Sequence, residues 1–384
     1  MSLKTFPPLY KVTSSGKGRV WIIGVKPNEV IPFFDIVVTT GYIDGAMVEY
    51  ITTIKEGKNL GRANATTPHT QAIKEAQAEW EKNKRLGYSE SLSNFVAPRF
   101  PMKAHELEKC LDKLTWPAII QPKLEGVHCK VVRVSEEHIH YFSRTNARFL
   151  NFSYMDQFFR EILNVGEEIG AELYAHDSSP LNPTNPIQRI HFEDIVSLIK
   201  NPALEADRQK LIKAHCFDLP CAGIPVEERL TELERRISLL PDSSPIEFIP
   251  FYEVSSLQEF YELHESFKAA GFEGSMYRRA GSLYEWDIRS YDLLKHKDMI
   301  DMEFPIVEVN EGKGTFAGKA VFTCRADNGR TFEVITKGSA EKKEMYLANA
   351  FFYIGKAMTV KYQRLTKKGV PYLPVGIMRD YEGD

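Results

Sequence analysis

A chain of 384 residues, 43% hydrophobic and 26% charged, is long enough for two or three domains with separate cores and reads as an ordinary soluble globular protein. No apolar run approaches the roughly 20 residues of a membrane span, the N-terminus lacks a secretory pattern, and five cysteines without framework spacing point to reduced thiols. Net charge is −3, yet it is unevenly spread: 12 basic against 9 acidic residues over 1–95, 24 against 34 over 96–303, and 13 against 9 over 304–384. Basic ends around an acidic centre suit terminal modules that meet a polyanion and a centre that holds metal ions. They suit an accident of surface charge equally well. Cys216 and Cys221 have no matching pair elsewhere, which speaks against a zinc site.

In chain order, residues 19–53 predict short strands, "RVWIIGV", "FFDIVVTTGYI" and "MVEYITTI", rich in β-branched and aromatic residues. Thr67-Pro68 then marks a helix start, Ala72, Ala76 and Trp80 repeat at spacing four, and Gly87 follows a basic last turn as a stop. The stretch 88–103, with its Ser, Asn and two Pro, reads as a linker. The middle alternates: a strand over 117–134, a strand over 138–143, a helix near 154–164 and a strand over 168–175. Helices near 191–200 and 226–239 follow, with strands around 213–218, 246–254, 272–278 and 292–297. From 304 the pattern turns to five strands between Gly-bearing turns, interrupted by the helix "SAEKKEMYLANAFF". Five strands and one helix in so short a stretch predict a small barrel of the OB type. The expected class is therefore α+β and multidomain, divided as 1–95, 96–303 and 304–384.

Chemistry enters with "QPKLEGVHCK", residues 121–130. A lysine is ordinarily protonated and inert; desolvation or neighbouring cations make it a nucleophile. Taken alone, Lys-x-Glu-Gly fits a surface lysine beside a turn better than a catalytic one. Further along stand "FSRTNARF" with Arg144, "GAELYAHD" with Glu172, "HCFDLP" with Phe217, "GFEGSMYRR" with Glu273, and "RSYDLLKHKDM" with Arg289, Lys295 and Lys297. Period-two geometry places Lys295 and Lys297 on one face of a strand.

Together these segments resemble, in order and over residues from about 100 to 381, the six motifs of the covalent nucleotidyltransferase superfamily: ATP-dependent DNA ligases, RNA ligases and capping enzymes. The resemblance implies that Lys123 attacks the α-phosphorus of ATP to give a lysyl-AMP. It implies that Glu172 and Glu273 form an acidic pair, one near the ribose hydroxyl or the metal and the other a ligand of Mg²⁺, with Mn²⁺ able to substitute. By the same resemblance Phe217 stacks on adenine and Gln121 contacts it through side chain or backbone. Lys295 and Lys297 neutralise charge at the α-phosphate. Arg144 binds the nick 5′-phosphate or the AMP, Arg289 precedes the last core motif, and Arg379 orients the leaving pyrophosphate. Two departures stand out: His128 replaces the arginine usual after the first motif, and Tyr381-Glu382 replace the lysine that usually closes the last one.

The tail "KYQRLTKKGVPYLPVGIMRDYE" resembles the barrel end of small bacterial and viral ATP-dependent DNA ligases. Lys313, Lys319, Lys361, Lys367 and Lys368 are placed to clamp duplex phosphates, with Arg144, Arg289, Lys313 and Lys361 the expected DNA contacts. The N-terminal helix is similar to the closing helix of WGR domains of DNA-break enzymes, although the naming triplet is absent and Thr40-Gly41-Tyr42 stands near its place. The resemblance implies a cytoplasmic, monomeric enzyme, bacterial or in host cytoplasm if virus-encoded, acting on nicked or broken duplex DNA with no membrane partner. The rivals are an RNA ligase or RNA-capping nucleotidyltransferase, and a DNA-break-binding protein without activity.

Overall fold

The computed structural model describes residues 4–12, 18–43, 45–90, 99–175, 192–200 and 210–378. The chain divides into two units: Met1–Met102 with His128–Gly170 and Glu285–Ile288, and Lys103–Val127 with Ala171–Tyr284 and Arg289–Asp384.

In the first unit, β-branched runs pair as antiparallel strands Gly18–Pro27, Phe34–Tyr42 and Met47–Ile54, flanked by Lys4–Thr5 and Leu9–Val12. The helix Pro68–Arg85 begins at a capping box, in which the Thr67 side chain accepts from the Thr70 amide and Thr70 answers at the Thr67 amide. Pro68 occupies the first turn, where no amide is needed. Its Ala72, Ala76 and Trp80 are buried in one core with Leu9, Trp21, Ile23, Val25, Phe34 and Ile36. The Trp80 indole N–H donates to the Pro7 carbonyl at 2.8 Å, so the largest side chain of the face is also polar-satisfied. From His128 onward the same unit carries the antiparallel run of Val127–Arg133, Ile139–Ser143 and Arg148–Phe149.

The second unit contains a five-stranded sheet in the order Tyr252–Val254, Ala118–Lys123, Gly274–Arg279, Arg289–His296, Lys103–Glu106. Five of the six residues of Ala118–Lys123 are buried, Gln121 among them, so the strand is covered on both faces. Helix Leu257–Ala269, capped by Ser256, sinks Phe260 and Phe267 into the core formed by Ala118, Ile120, Tyr277 and Leu294. Strands Ile300–Glu311, Ala320–Arg325, Thr331–Thr336, Val375–Ile377 and Ala357–Tyr362 close a barrel. There the inward residues alternate along each strand, and Phe322, Val334, Met358 and Val360 are fully buried. Each such side chain contributes about 1.5–3 kcal/mol of burial.

Two predicted strands are each divided. The stretch 117–134 breaks at the Glu125-Gly126 turn into Ala118–Lys123 and Val127–Arg133. The stretch 246–254 breaks around Pro250 into Ile246–Phe248 and Tyr252–Val254, which join different sheets. Proline lacks the amide a continuing ladder needs.

Candidate active site

Lys123 is the last residue of its strand, where the sheet end opens and the side chain becomes partly exposed. The register sets its company. Gly274 lies opposite Lys123, and on the next strand Ser275 faces His296 and Met276 faces Lys295. The Glu273 amide donates to the Lys123 carbonyl at 2.9 Å. A Cβ on Gly274 would stand 2.2 Å from the His296 carbonyl oxygen, so only glycine lets the two strands close at this point. Lys123, Glu273, Lys295 and Lys297 therefore reach one end of the sheet from three adjacent strands.

Their polar contacts share one carboxylate. Lys123 Nζ pairs with Glu273 Oε2; Lys297 Nζ lies 3.4 Å from Glu273 Oε1, and the Gln363 amide donates to that same oxygen at 2.5 Å. Lys297 also donates to Gln363 Oε1 at 2.7 Å. Burial alone would raise the Glu273 carboxyl, but Lys123 and then Lys297 outweigh it and hold the group below its usual range, ionised. Lys295 is pushed down, first by desolvation and then by Lys297, with Lys123 adding to the repulsion. Two lysines share a single carboxylate and a third, Lys295, feels the charge of both, an arrangement suited to a polyphosphate. Glu172 enters from the strand Glu168–Tyr174: a Cβ on Gly126 would stand 2.8 Å from its Cγ and 2.5 Å from the Leu173 carbonyl oxygen. The turn after Lys123 and the Glu172 strand are thus in direct contact. The carboxylates of Glu172 and Glu273 supply the hard oxygen donors that a divalent cation of the Mg²⁺ type requires.

Two residues back on the Lys123 strand, a second charge cluster is closed. Asp218 is fully buried and accepts from Arg229 Nε at 2.8 Å and from Arg278 Nη1 at 2.6 Å. Arg278 Nε donates to Gln121 Oε1 at 3.0 Å, and the Gln121 amide donates to the Ile249 carbonyl at 3.2 Å. The Gln121 side chain is thereby taken up inside the protein. Phe217, half-buried, precedes Asp218 at the end of the strand Lys213–Asp218, and its carbonyl accepts from Arg278 Nη2 at 3.4 Å.

A family model described as "ATP dependent DNA ligase domain" matches residues 101–297, and one described as "DNA ligase OB-like domain" matches 311–379. The chain belongs to the ATP-dependent DNA ligases. It is 27% identical over 400 residues to the DNA ligase of African swine fever virus (strain Badajoz 1971 Vero-adapted), covering 95% of this chain and 92% of that one. Among solved structures it is similar to one titled for Lig E DNA ligases, with TM-score 0.58, 20% identity and coverage of 73% and 99% of the two chains. Another, "Pmar-Lig_PreS3", gives TM-score 0.60 at 19% identity, covering 80% and 71%. Membership means that the protein uses ATP and a divalent metal and joins nicks in duplex DNA. Neither family match reaches residues 1–100.

The ligase's remaining expected site residues fall in several places. Arg144 lies in the first unit, exposed in the turn after Ile139–Ser143. Beside it in that unit, burial first and Arg144 second push the His128 imidazole down to about 3. A neutral His128 therefore brings no charge to replace the family's arginine. Arg289 is exposed and its guanidinium donates to the Ala104 carbonyl. Lys313 is exposed, Lys361 pairs with Asp301 at 3.0 Å, and Lys367 pairs with Asp194. Arg379 lies outside the described residues.

Sequence reasoning missed two residues of the turn that leaves the barrel strand Ala357–Tyr362. Gln363 reaches Glu273 and Lys297, and Arg364 donates from Nε to Glu125 and from Nη1 to Glu193 Oε1 at 3.3 Å, its guanidinium 4.2 Å from the Tyr372 ring centroid. The barrel end of the ligase thus reaches the nucleophile loop directly. Contacts across 90 and 239 residues leave no periodic trace in a sequence.

Proposed function

We propose that Lys123 is the residue that carries AMP, and that Glu172, Glu273, Lys295 and Lys297 bind and balance the charges around it. The observation that supports this most strongly is the convergence of Lys123, Glu273 and Lys297 on shared atoms at one sheet end. An ammonium held by Glu273 cannot attack. Mg²⁺ at the Glu172 and Glu273 carboxylates, with Mn²⁺ as a substitute, would draw charge from the phosphates and compete for the carboxylate that holds Lys123. The neutral Lys123 amine attacks the α-phosphorus of ATP, forming a P–N bond as pyrophosphate leaves, its own proton passing to solvent. The AMP next passes to a nick 5′-phosphate, and the 3′-hydroxyl displaces it to close the strand. Lys295 and Lys297 stabilise the charge that develops at phosphorus in each step.

Phe217 is assigned to adenine stacking, and Arg144, Arg289, Lys313 and Lys361 to duplex phosphates. Residues 1–95, 96–303 and 304–384 are assigned to a WGR-like DNA-end module, the adenylation domain and the OB domain. The protein is assigned to a monomer in the cytoplasm; no described helix is long and apolar enough to cross a membrane. The test is nick sealing. Lys123→Ala should fail to seal a 5′-phosphate nick supplied with ATP and Mg²⁺, yet seal a nick whose 5′ end already carries AMP, because the last displacement does not use the amine. Sealing of both substrates by the variant would refute the assignment.

A further inference from the structure

The face of the lysine strand turned away from Lys295 and Lys297 carries a group the ligation chemistry does not use. His296, between the two lysines, is 8% exposed, and His264 of helix Leu257–Ala269 is 1% exposed. Their ring centroids are 4.3 Å apart. His264 Nδ1 is within hydrogen-bond distance of Ser275 Oγ at 2.9 Å, and His296 Nδ1 of Glu108 Oε1. Both outer nitrogens are thus anchored, and both Nε2 atoms turn toward one carboxylate: Asp298 Oδ1 lies 3.4 Å from His264 Nε2 and 3.9 Å from His296 Nε2. One ligand atom from each of the three residues lies within 4.8 Å of the others. His264 Nε2 is buried and faces the half-exposed Asp298 carboxylate across a long 3.4 Å contact. A cation seated between them would take the imidazole lone pair and the carboxylate charge together.

We propose that His264, His296 and Asp298 form a binding site for a divalent transition metal of the Zn²⁺ type. Tetrahedral Zn²⁺ with bonds of about 2.0–2.1 Å separates its ligand atoms by about 3.3 Å, so spacings that all lie within 4.8 Å need to close by at most about 1.5 Å. The donors are two imidazoles and one carboxylate, the mixture that suits zinc rather than Mg²⁺. Glu108 behind His296 and Ser275 behind His264 supply the outer hydrogen bonds that fix ring orientation in such sites. Asp298 is half-exposed and its Oδ2 is held by Lys268 at 2.5 Å, which leaves Oδ1 for the metal and an open position for water. The site differs from a cysteine site, which explains why cysteine spacing gave no sign of it.

The consequence is mechanical. A metal here ties helix Leu257–Ala269 to residues 296–298, which link the lysine strand to the first barrel strand, Ile300–Glu311. It therefore acts as a positioning element for Lys295 and Lys297 and for the start of the barrel.

The test titrates Zn²⁺ alone into chelator-stripped full-length protein against a competing chromogenic chelator, with Co²⁺ substitution read by visible absorption. One Zn²⁺ per chain and a tetrahedral Co²⁺ spectrum are expected. His264→Gln should abolish stoichiometric binding, and Asp298→Asn, a half-exposed change that keeps shape, should do the same if His264→Gln fails to fold. Glu108→Gln should weaken binding about 10- to 100-fold. Cys221→Ser, at the exposed thiol, should bind as the parent does. Absence of binding by the parent, or equal binding by Asp298→Asn, would overturn the proposal. Because the readout is metal bound rather than AMP transferred, its failure is separable from failure of the Lys123 assignment.

Discussion

Gln121 and Lys123 stand two residues apart on one strand, and each leads into a cluster of charge, but the clusters are built for opposite ends. Around Gln121, Asp218 and both arginines are 5% exposed or less at the side chain, and the carboxylate's partners are fixed by further bonds to Gln121 and the Ile224 carbonyl. Around Lys123 the lysines are 22% and 30% exposed at the side chain, and one carboxylate is shared among two lysines and an amide from the barrel. A closed network with every partner satisfied holds shape. An open one with surplus cations can exchange a carboxylate for a phosphate. The difference separates a structural salt bridge from a candidate catalytic one on the same strand.

The largest expected effect breaks the closed cluster. Asp218→Ala leaves two buried guanidinium groups without an anion and should destabilise by about 3–5 kcal/mol, read as a lowered denaturation midpoint in urea. Next, Glu273→Gln should lower the rate of AMP attachment at least about 100-fold, while costing no more than about 1–2 kcal/mol of stability. If the two variants showed the same ratio of stability loss to activity loss, the distinction between the clusters would fail. Gly126→Ala should push the Glu172 strand from the nucleophile turn, costing about 1–3 kcal/mol together with a loss of adenylation.

Acid gives the smallest and most general effect. The Asp218 carboxyl lies below its ordinary 3.8 because Arg278 and Arg229 outweigh the burial that would raise it, and Glu273 lies below 4.5 for the parallel reason. Both values are lower in the folded chain, so the unfolded chain takes up protons first. The stability they contribute is complete above about pH 4.5 and is lost as pH falls through the folded values. Thermal midpoints recorded downward from neutral pH should stay level to about pH 4.5 and then decline. A decline that began near pH 6 would point to histidines instead.

Much of this was legible because it is local. Thr67-Pro68, the spacing of Ala72, Ala76 and Trp80, and the stop at Gly87 correspond to the helix Pro68–Arg85. Lys123, Glu273, Lys295 and Lys297 were found as motif residues, and strand register brings them together. The remainder depends on distance in sequence. Helix Leu257–Ala269 was not read from "LQEFYELHESFKA", whose four aromatic and histidine positions obscure the amphipathic stripe, and His264 went unnoticed with it. Asp218 stood beside Phe217 in a quoted motif, but its importance comes from Arg229 and Arg278, 11 and 60 residues away. Gln363 and Arg364 sit in a turn whose sequence looks like surface, and only tertiary structure shows that they face the nucleophile loop.

The most direct measurement is to incubate the protein with α-labelled ATP and Mg²⁺, quench in acid, digest it and locate the labelled peptide by mass. The expected result is a single adenylated peptide spanning residue 123, with the added AMP on its lysine and no label in Lys123→Ala. A label on any other residue, or an undiminished label in that variant, would contradict the assignment of Lys123 as nucleophile.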